Sequence, residues 1–178
     1  VTNGRLSHEM LVRAAKSDGE NLKAIDATAG MGEDGFLLAA YGYEVTLYEQ
    51  NPVIAALLKD ALRRAKKHMV LKDIAVRMKL IEGNSVECLA KQLDPADVIY
   101  LDPMFPARQK SGLINKKLQL IQKLEPPCSE ETDLFDAAIR ANPEKIIVKR
   151  PLKSEFLAGR KPSYTLNGKA IRYDCYTL

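Results

Sequence analysis

A short apolar strand that runs straight into a glycine-bearing loop and then a helix constrains this chain more than any other feature. Lys23–Ala27 reads as the strand, the loop continues Thr28-Ala29-Gly30-Met31-Gly32-Glu33, and Asp34–Tyr41 opens the helix. Glycine at 30 and 32 lets the backbone turn sharply and approach a ligand closely. The free N–H groups of the following helix point at the same place. Such a unit has to be repeated, because a parallel strand needs parallel neighbours joined by crossover helices. The pattern supplies them: strands at Glu44–Tyr48, Val76–Ile81, Asp97–Leu101 and Lys145–Lys149, with helices at Val53–Lys67, Val86–Leu93, Leu113–Leu124 and Glu130–Ala141. Pro52 suits the first turn of its helix, whose apolar face comprises Ile54, Leu57, Leu58, Ala61, Leu62 and Ala65. After the fifth strand the pattern changes. Ser163–Leu166 and Ala170–Tyr176 alternate around Asn167-Gly168, a hairpin signal in which both turn residues take positive φ. The expected fold is α/β and Rossmann-like: a mostly parallel seven-stranded sheet ending in an antiparallel hairpin, with helices on both faces. A chain of 178 residues fits a single domain over 1–178.

The loop describes a nucleoside-containing cofactor at the carboxyl ends of the strands. Glu49 ends the second strand, where a carboxylate can accept hydrogen bonds from ribose hydroxyls. Gly30, Gly32 and Gly35 fit GxGxxG, so NAD is one reading and a nicotinamide-dependent oxidoreductase the matching activity. Two details oppose it. Asp26 precedes the first glycine by four residues, farther than a dinucleotide fingerprint allows, and Glu33 and Asp34 would repel a pyrophosphate at the helix start. S-adenosylmethionine (SAM) has no phosphate and carries a sulfonium and an ammonium, which Asp26, Glu33 and Asp34 favour. The antiparallel end of the sheet also suits a class I SAM-dependent methyltransferase better than a dehydrogenase. Asn84 or Ser85, after the third strand, would flank the adenine; a plain helix cap is the competing role. Gly32→Val is expected to block SAM by filling the backbone approach.

The fourth strand runs into Asp102-Pro103-Met104-Phe105-Pro106. This fits the Asp-Pro-x-aromatic pattern of enzymes that methylate exocyclic amines of nucleic-acid bases. Such an amine is a poor nucleophile, since its lone pair is delocalised into the ring. Asp102 and a carbonyl stiffened by Pro103 can accept its N–H bonds, and Phe105 offers a face to the base. The sulfonium already carries an activated methyl, so no metal is needed. Arg108, Lys110, Lys116 and Lys117 follow, with Lys149 and Arg150 after the fifth strand; these would neutralise phosphates. A net charge of +4 permits such a polyanion. Cys88, Cys128 and Cys175 are odd in number and far apart, which suits a reducing cytoplasm rather than a disulfide framework. No apolar run is long enough for a membrane span and no signal peptide is visible. Val1 is not an initiator Met, which leaves room for an upstream segment.

Asp26-x-Thr-Ala-Gly-x-Gly-x-Asp34-x-Phe36, Glu49-x-Asn-Pro52, Tyr100-Leu-Asp-Pro-Met-Phe-Pro106 with Gln109-Lys-Ser111, Val148-Lys-Arg-Pro151 and Arg172-Tyr-Asp174-x-Tyr176 resemble the RsmJ family of bacterial 16S rRNA (guanine-N2)-methyltransferases. The resemblance runs from about Gly4 to Tyr176. It implies SAM contacts at Glu33, Asp34, Glu49, Gln50, Asn84, Ser85 and Asp102. It also implies 16S rRNA or the small ribosomal subunit as partner, the N2 amine of a guanine as target, and a longer N-terminus in other members. The residues alone reach only "amino group of a base", which leaves adenine N6 open.

Overall fold

The computed structural model describes residues 6–103 and 131–178. Phe105, Arg108, Lys110, Lys116 and Lys117, and the helix expected over 113–124, lie outside the described residues. The elements run α1 (Met10–Ala15), β1 (Lys23–Asp26), α2 (Glu33–Tyr41), β2 (Glu44–Glu49), α3 (Pro52–Ala65), α4 (Lys72–Ala75), β3 (Met78–Glu82), α5 (Ser85–Ala90), β4 (Val98–Leu101), α6 (Glu131–Arg140), β5 (Lys145–Pro151), a 3-10 turn (Leu157–Gly159), β6 (Tyr164–Asn167) and β7 (Ile171–Thr177). Seven strands form one sheet in the order β3-β2-β1-β4-β5-β7-β6. The first five are parallel; β7 pairs antiparallel to β5 and to β6.

Alternation along the strands sends side chains to two cores. Val98 and Tyr100 of β4 and Ile147 of β5 join Leu11, Ala14 and Ala15 of α1, Leu38 and Ala39 of α2, and Leu58 and Leu62 of α3 on one face. Ile99, Leu101, Ile146 and Val148 join Leu89 of α5 and Leu134, Phe135, Ala137 and Ala138 of α6 on the other. The sheet is therefore covered on both faces, and its central strands read as continuous apolar runs for that reason. Asn51 caps α3, its side-chain oxygen accepting from the N–H groups of Val53 (3.0 Å) and Ile54 (3.3 Å) ahead of Pro52.

The structure departs from the sequence reading in places. Leu57 is half exposed, because α3 buries a narrower stripe: Ile54, Ala55, Leu58 and Leu62. The third strand begins at Met78, since α4 and its turn take up the residues through Arg77 and leave Val76 in solvent. Neither Asn167 nor Gly168 has positive φ. Asn167 stays in the ladder opposite Arg172, the Gly168 N–H donates to the Ile171 carbonyl at 2.8 Å, and Lys169-Ala170 form the tip. Gly168 is required for a different reason: a Cβ there would lie 2.9 Å from the Met10 sulfur. The sequence reading missed α1, a six-residue helix with no side-chain cap. Its end is held by tertiary partners, the Tyr43 hydroxyl on the Ala15 carbonyl and Lys145 Nζ on the carbonyls of Ala14 (3.1 Å) and Lys16 (2.8 Å).

Candidate active site

The carboxyl ends of β1, β2, β4 and β5 meet on one rim. The loop after β1 turns through Gly30 (φ +50°) and Gly32 (φ +76°), the latter capping α2 by backbone geometry alone. L-residues with a side chain resist that region. A Cβ at Gly32 would meet Leu58 Cδ1 at 2.8 Å, so the core beneath the loop also requires the glycine. Glu49 is buried and holds the loop in place. One carboxylate oxygen accepts from the Gly30 N–H (2.9 Å), the other from the Asn51 N–H (2.7 Å).

Asn84 and Ser85 close the opposite side. Asn84 caps α5, accepting from Val86 (2.9 Å) and Glu87 (3.3 Å), and its amide donates to the Gln50 side chain at 3.2 Å. Ser85 donates to the Ala27 carbonyl at 2.5 Å, tying the end of β3 to the end of β1. The plain capping role is thus present at Asn84, and it also brings Asn84 beside Gln50 on the rim.

The acidic groups gather at the centre. Asp26 is buried and accepts from the Thr28 N–H at 3.1 Å. The Thr28 hydroxyl oxygen in turn accepts the Asp102 N–H at 2.7 Å, so the loop after β1 grips the loop after β4. Asp34 receives the Tyr100 hydroxyl at 2.6 Å. Lys149 Nζ lies 2.9 Å from Asp34 Oδ2 and 2.9 Å from Asp102 Oδ2. Burial, tempered by the Thr28 N–H and reinforced by Asp34 and Asp102, pushes the Asp26 carboxyl up to about 7. Removal from water also raises the Asp102 carboxyl, against the pull of Lys149. Burial by itself would lower the Lys149 ammonium, but Asp102 and Asp34 more than offset that and raise it.

Two residues expected to meet phosphates have other partners. Arg150 is buried, its guanidinium on Glu131 (3.3 Å) and the Glu155 carbonyl (3.1 Å). Lys149 points into the carboxylate cluster. Their place just past a strand end suggested a surface; the β5 register instead sets Lys149 beside Asp102 and turns Arg150 inward. Thr28 and Tyr100 were overlooked as site residues. Thr28 was visible in Asp26-x-Thr, but its contact to Asp102 spans 74 positions.

The donor set fits a cationic nucleoside cofactor. Among the described residues, Asp26, Asp34 and Asp102 face a single lysine, leaving an excess of negative charge. A pyrophosphate at the start of α2 would meet Asp34. No group of three or more His, Cys, Asp and Glu among the described residues could hold a metal ion, and no described helix is long and apolar enough to cross a membrane. A doubly wound sheet with an antiparallel seventh strand, a glycine loop after β1 and an acidic residue closing β2 define a class I SAM-dependent methyltransferase.

The comparisons agree. The family model described as "Putative SAM-dependent methyltransferase" matches residues 1–178. Ribosomal RNA small subunit methyltransferase J of Thioalkalivibrio sulfidiphilus is 45% identical over 175 residues, covering 96% of this chain and 68% of that protein. The same-named protein of Pseudomonas paraeruginosa is 42% identical over 96% of this chain and 66% of its own length. The chain therefore spans about two thirds of these relatives. A crystal structure of a SAM-dependent methyltransferase of Neisseria gonorrhoeae superposes with TM-score 0.77 at 34% identity, over 95% of this chain and 70% of that one. The rRNA methyltransferase AviRa of Streptomyces viridochromogenes shares the fold alone, with TM-score 0.62 at 15% identity over 97% of this chain and 84% of that one. The chain belongs to the ribosomal RNA small subunit methyltransferase J family, the RsmJ family, and its cofactor is SAM.

Proposed function

We propose that this chain transfers a methyl group from SAM to the exocyclic N2 amine of a guanine in small-subunit (16S) ribosomal RNA, in the cytoplasm. The carrying observation is Asp102-Pro103 at the end of β4, clasped through Thr28 to the loop after β1 that would hold the cofactor. The names of the relatives support ribosomal RNA as the substrate.

In this reading Gly30, Gly32, Glu33, Asp34, Glu49, Gln50, Asn84 and Ser85 hold SAM, with Asp26 beneath them. Glu49, closing β2, takes the ribose hydroxyls, and Asn84 with Ser85 borders the adenine. When bound, the sulfonium supplies a methyl group already activated for displacement. Asp102 and the carbonyl beside Pro103 accept the amine's N–H bonds and aim its nitrogen, and Phe105 supports the base. With SAM in place, the amine nitrogen would take up the methyl group as the carbon–sulfur bond breaks, and sulfur would keep the electron pair. The nitrogen's surplus proton passes by Asp102 to water. Arg108, Lys110, Lys116 and Lys117 meet phosphates.

The test is incubation with labelled SAM and either bacterial small subunits or bare 16S rRNA, followed by nucleoside analysis. Label in N2-methylguanosine, lost in Asp102→Ala, is the expected result. Label in N6-methyladenosine would redirect the assignment to adenine. Equal behaviour of Asp102→Ala and wild type would remove Asp102 from the chemistry.

A further inference from the structure

Lys149 is the one charged residue of β5 that enters the carboxylate cluster among the described residues. The β4–β5 register pairs Leu101 with Val148, so the next residues on each strand, Asp102 and Lys149, stand side by side. The ammonium reaches both Asp102 Oδ2 and Asp34 Oδ2 at 2.9 Å, and about a quarter of the side chain is exposed. Tyr100 holds the same Asp34 oxygen from the other side. Asp34 is thereby fixed by two donors, and Lys149 is fixed between two acceptors.

We propose that Lys149 is a positioning residue of methyl transfer: its ammonium grips the Oδ2 edge of Asp102 and leaves the other carboxylate oxygen to receive the substrate amine. The inference rests on the methyl-transfer reading above. An amine with a delocalised lone pair needs an acceptor that is both charged and oriented, and partial burial of Asp102 disfavours its charge. Among the described residues, the groups that face Lys149 and Asp102 are Asp26 of β1, Asp34 of α2, Tyr100 of β4 and Tyr173 of β7. Every one is acidic or neutral, so among them Lys149 alone offsets the crowding of negative charge. A lysine acting only as a spacer would leave the titration of Asp102 unmoved; a positioning lysine sets it.

The experiment compares wild type, Lys149→Met and Lys149→Arg by three readings. Carboxyl NMR titration of Asp102 in the free protein needs no substrate; in Lys149→Met the midpoint rises by about one to three pH units. With labelled SAM and small subunits, kcat of Lys149→Met falls on the order of a hundredfold and its acidic limb moves up with the NMR midpoint. Calorimetric SAM affinity is kept, since removing a cation does not weaken a site for one, and Lys149→Arg recovers most of the activity. An unmoved Asp102 midpoint, or an unchanged kcat and acidic limb in a Lys149→Met that still binds SAM, overturns the proposal. A wild type that transfers no methyl to rRNA overturns the rRNA reading instead, while the NMR titration still decides the Lys149–Asp102 link. Should Lys149→Met fail to fold, the same readings are made on Asp34→Asn against Asp34→Asn with Lys149→Met, where one carboxylate has been removed to compensate.

Discussion

Two ionic clusters sit near the rim of the sheet, and they are built on opposite terms. On β7, Arg172 pairs with Asp174 at 2.9 and 3.1 Å, and the aspartate is wholly buried. The Thr165 hydroxyl completes Asp174, and the guanidinium also donates to the carbonyls of Pro151, Leu152 and Ser154. Phe156 lies against it at 5.1 Å. One base meets one acid, and their charges balance. Among the described residues the cluster around Lys149 sets three aspartates against one lysine, with a third of Asp102 exposed. Balanced and closed, the first staples the segment after β5 to the terminal hairpin. Unbalanced and open, the second has a place for a cation. Charge alone did not separate them; stoichiometry and access did.

Breaking the closed cluster should cost most. Arg172→Met leaves Asp174 buried without its partner and should lower stability by about 3–5 kcal/mol in urea denaturation. Breaking the open cluster should act on chemistry instead: Asp102→Ala should lower kcat on the order of 10²–10³-fold with a near-normal unfolding midpoint. Asp26→Asn sharpens the contrast through pH. The Asp26 carboxyl titrates at about 7 in the folded protein against an ordinary 3.8, so the folded state holds the proton more tightly. Its favourable contribution is complete below the lower value and lost as pH rises through the upper. Stability of wild type relative to Asp26→Asn should therefore fall across that interval, as parallel denaturation series would show. The smallest effect is expected at Gly32→Ala: about 1–2 kcal/mol for the left-handed backbone, in addition to displacement of Leu58, read by thermal unfolding.

The strands and helices around the rim were legible because each carries a local signature: apolar runs for buried parallel strands, Asn51-Pro52 for a helix start, glycines where the backbone turns. Glu49, Asp102 and the loop at Gly30 could be picked out on the same basis, each standing at a strand end. Residues whose role depends on a distant neighbour could not. Asn167-Gly168 carried the right turn signal for the wrong register: Asn167 pairs with Arg172, and the tip falls two residues later at Lys169-Ala170. Lys149-Arg150 looked like one basic patch, yet adjacent residues on a strand face opposite sides, and their partners 47 residues upstream at Asp102 and 19 upstream at Glu131 divided them.

The sequence by itself determined the order of elements, the glycine loop and the identity of the acidic groups, because propensity, periodicity and turn chemistry act over a few residues. The tertiary structure decided which of those acids share one lysine, which arginine is sealed inside, and where the hairpin turns. Those outcomes depend on strand register and on which side chains are withdrawn from water, and neither exists until the sheet has assembled.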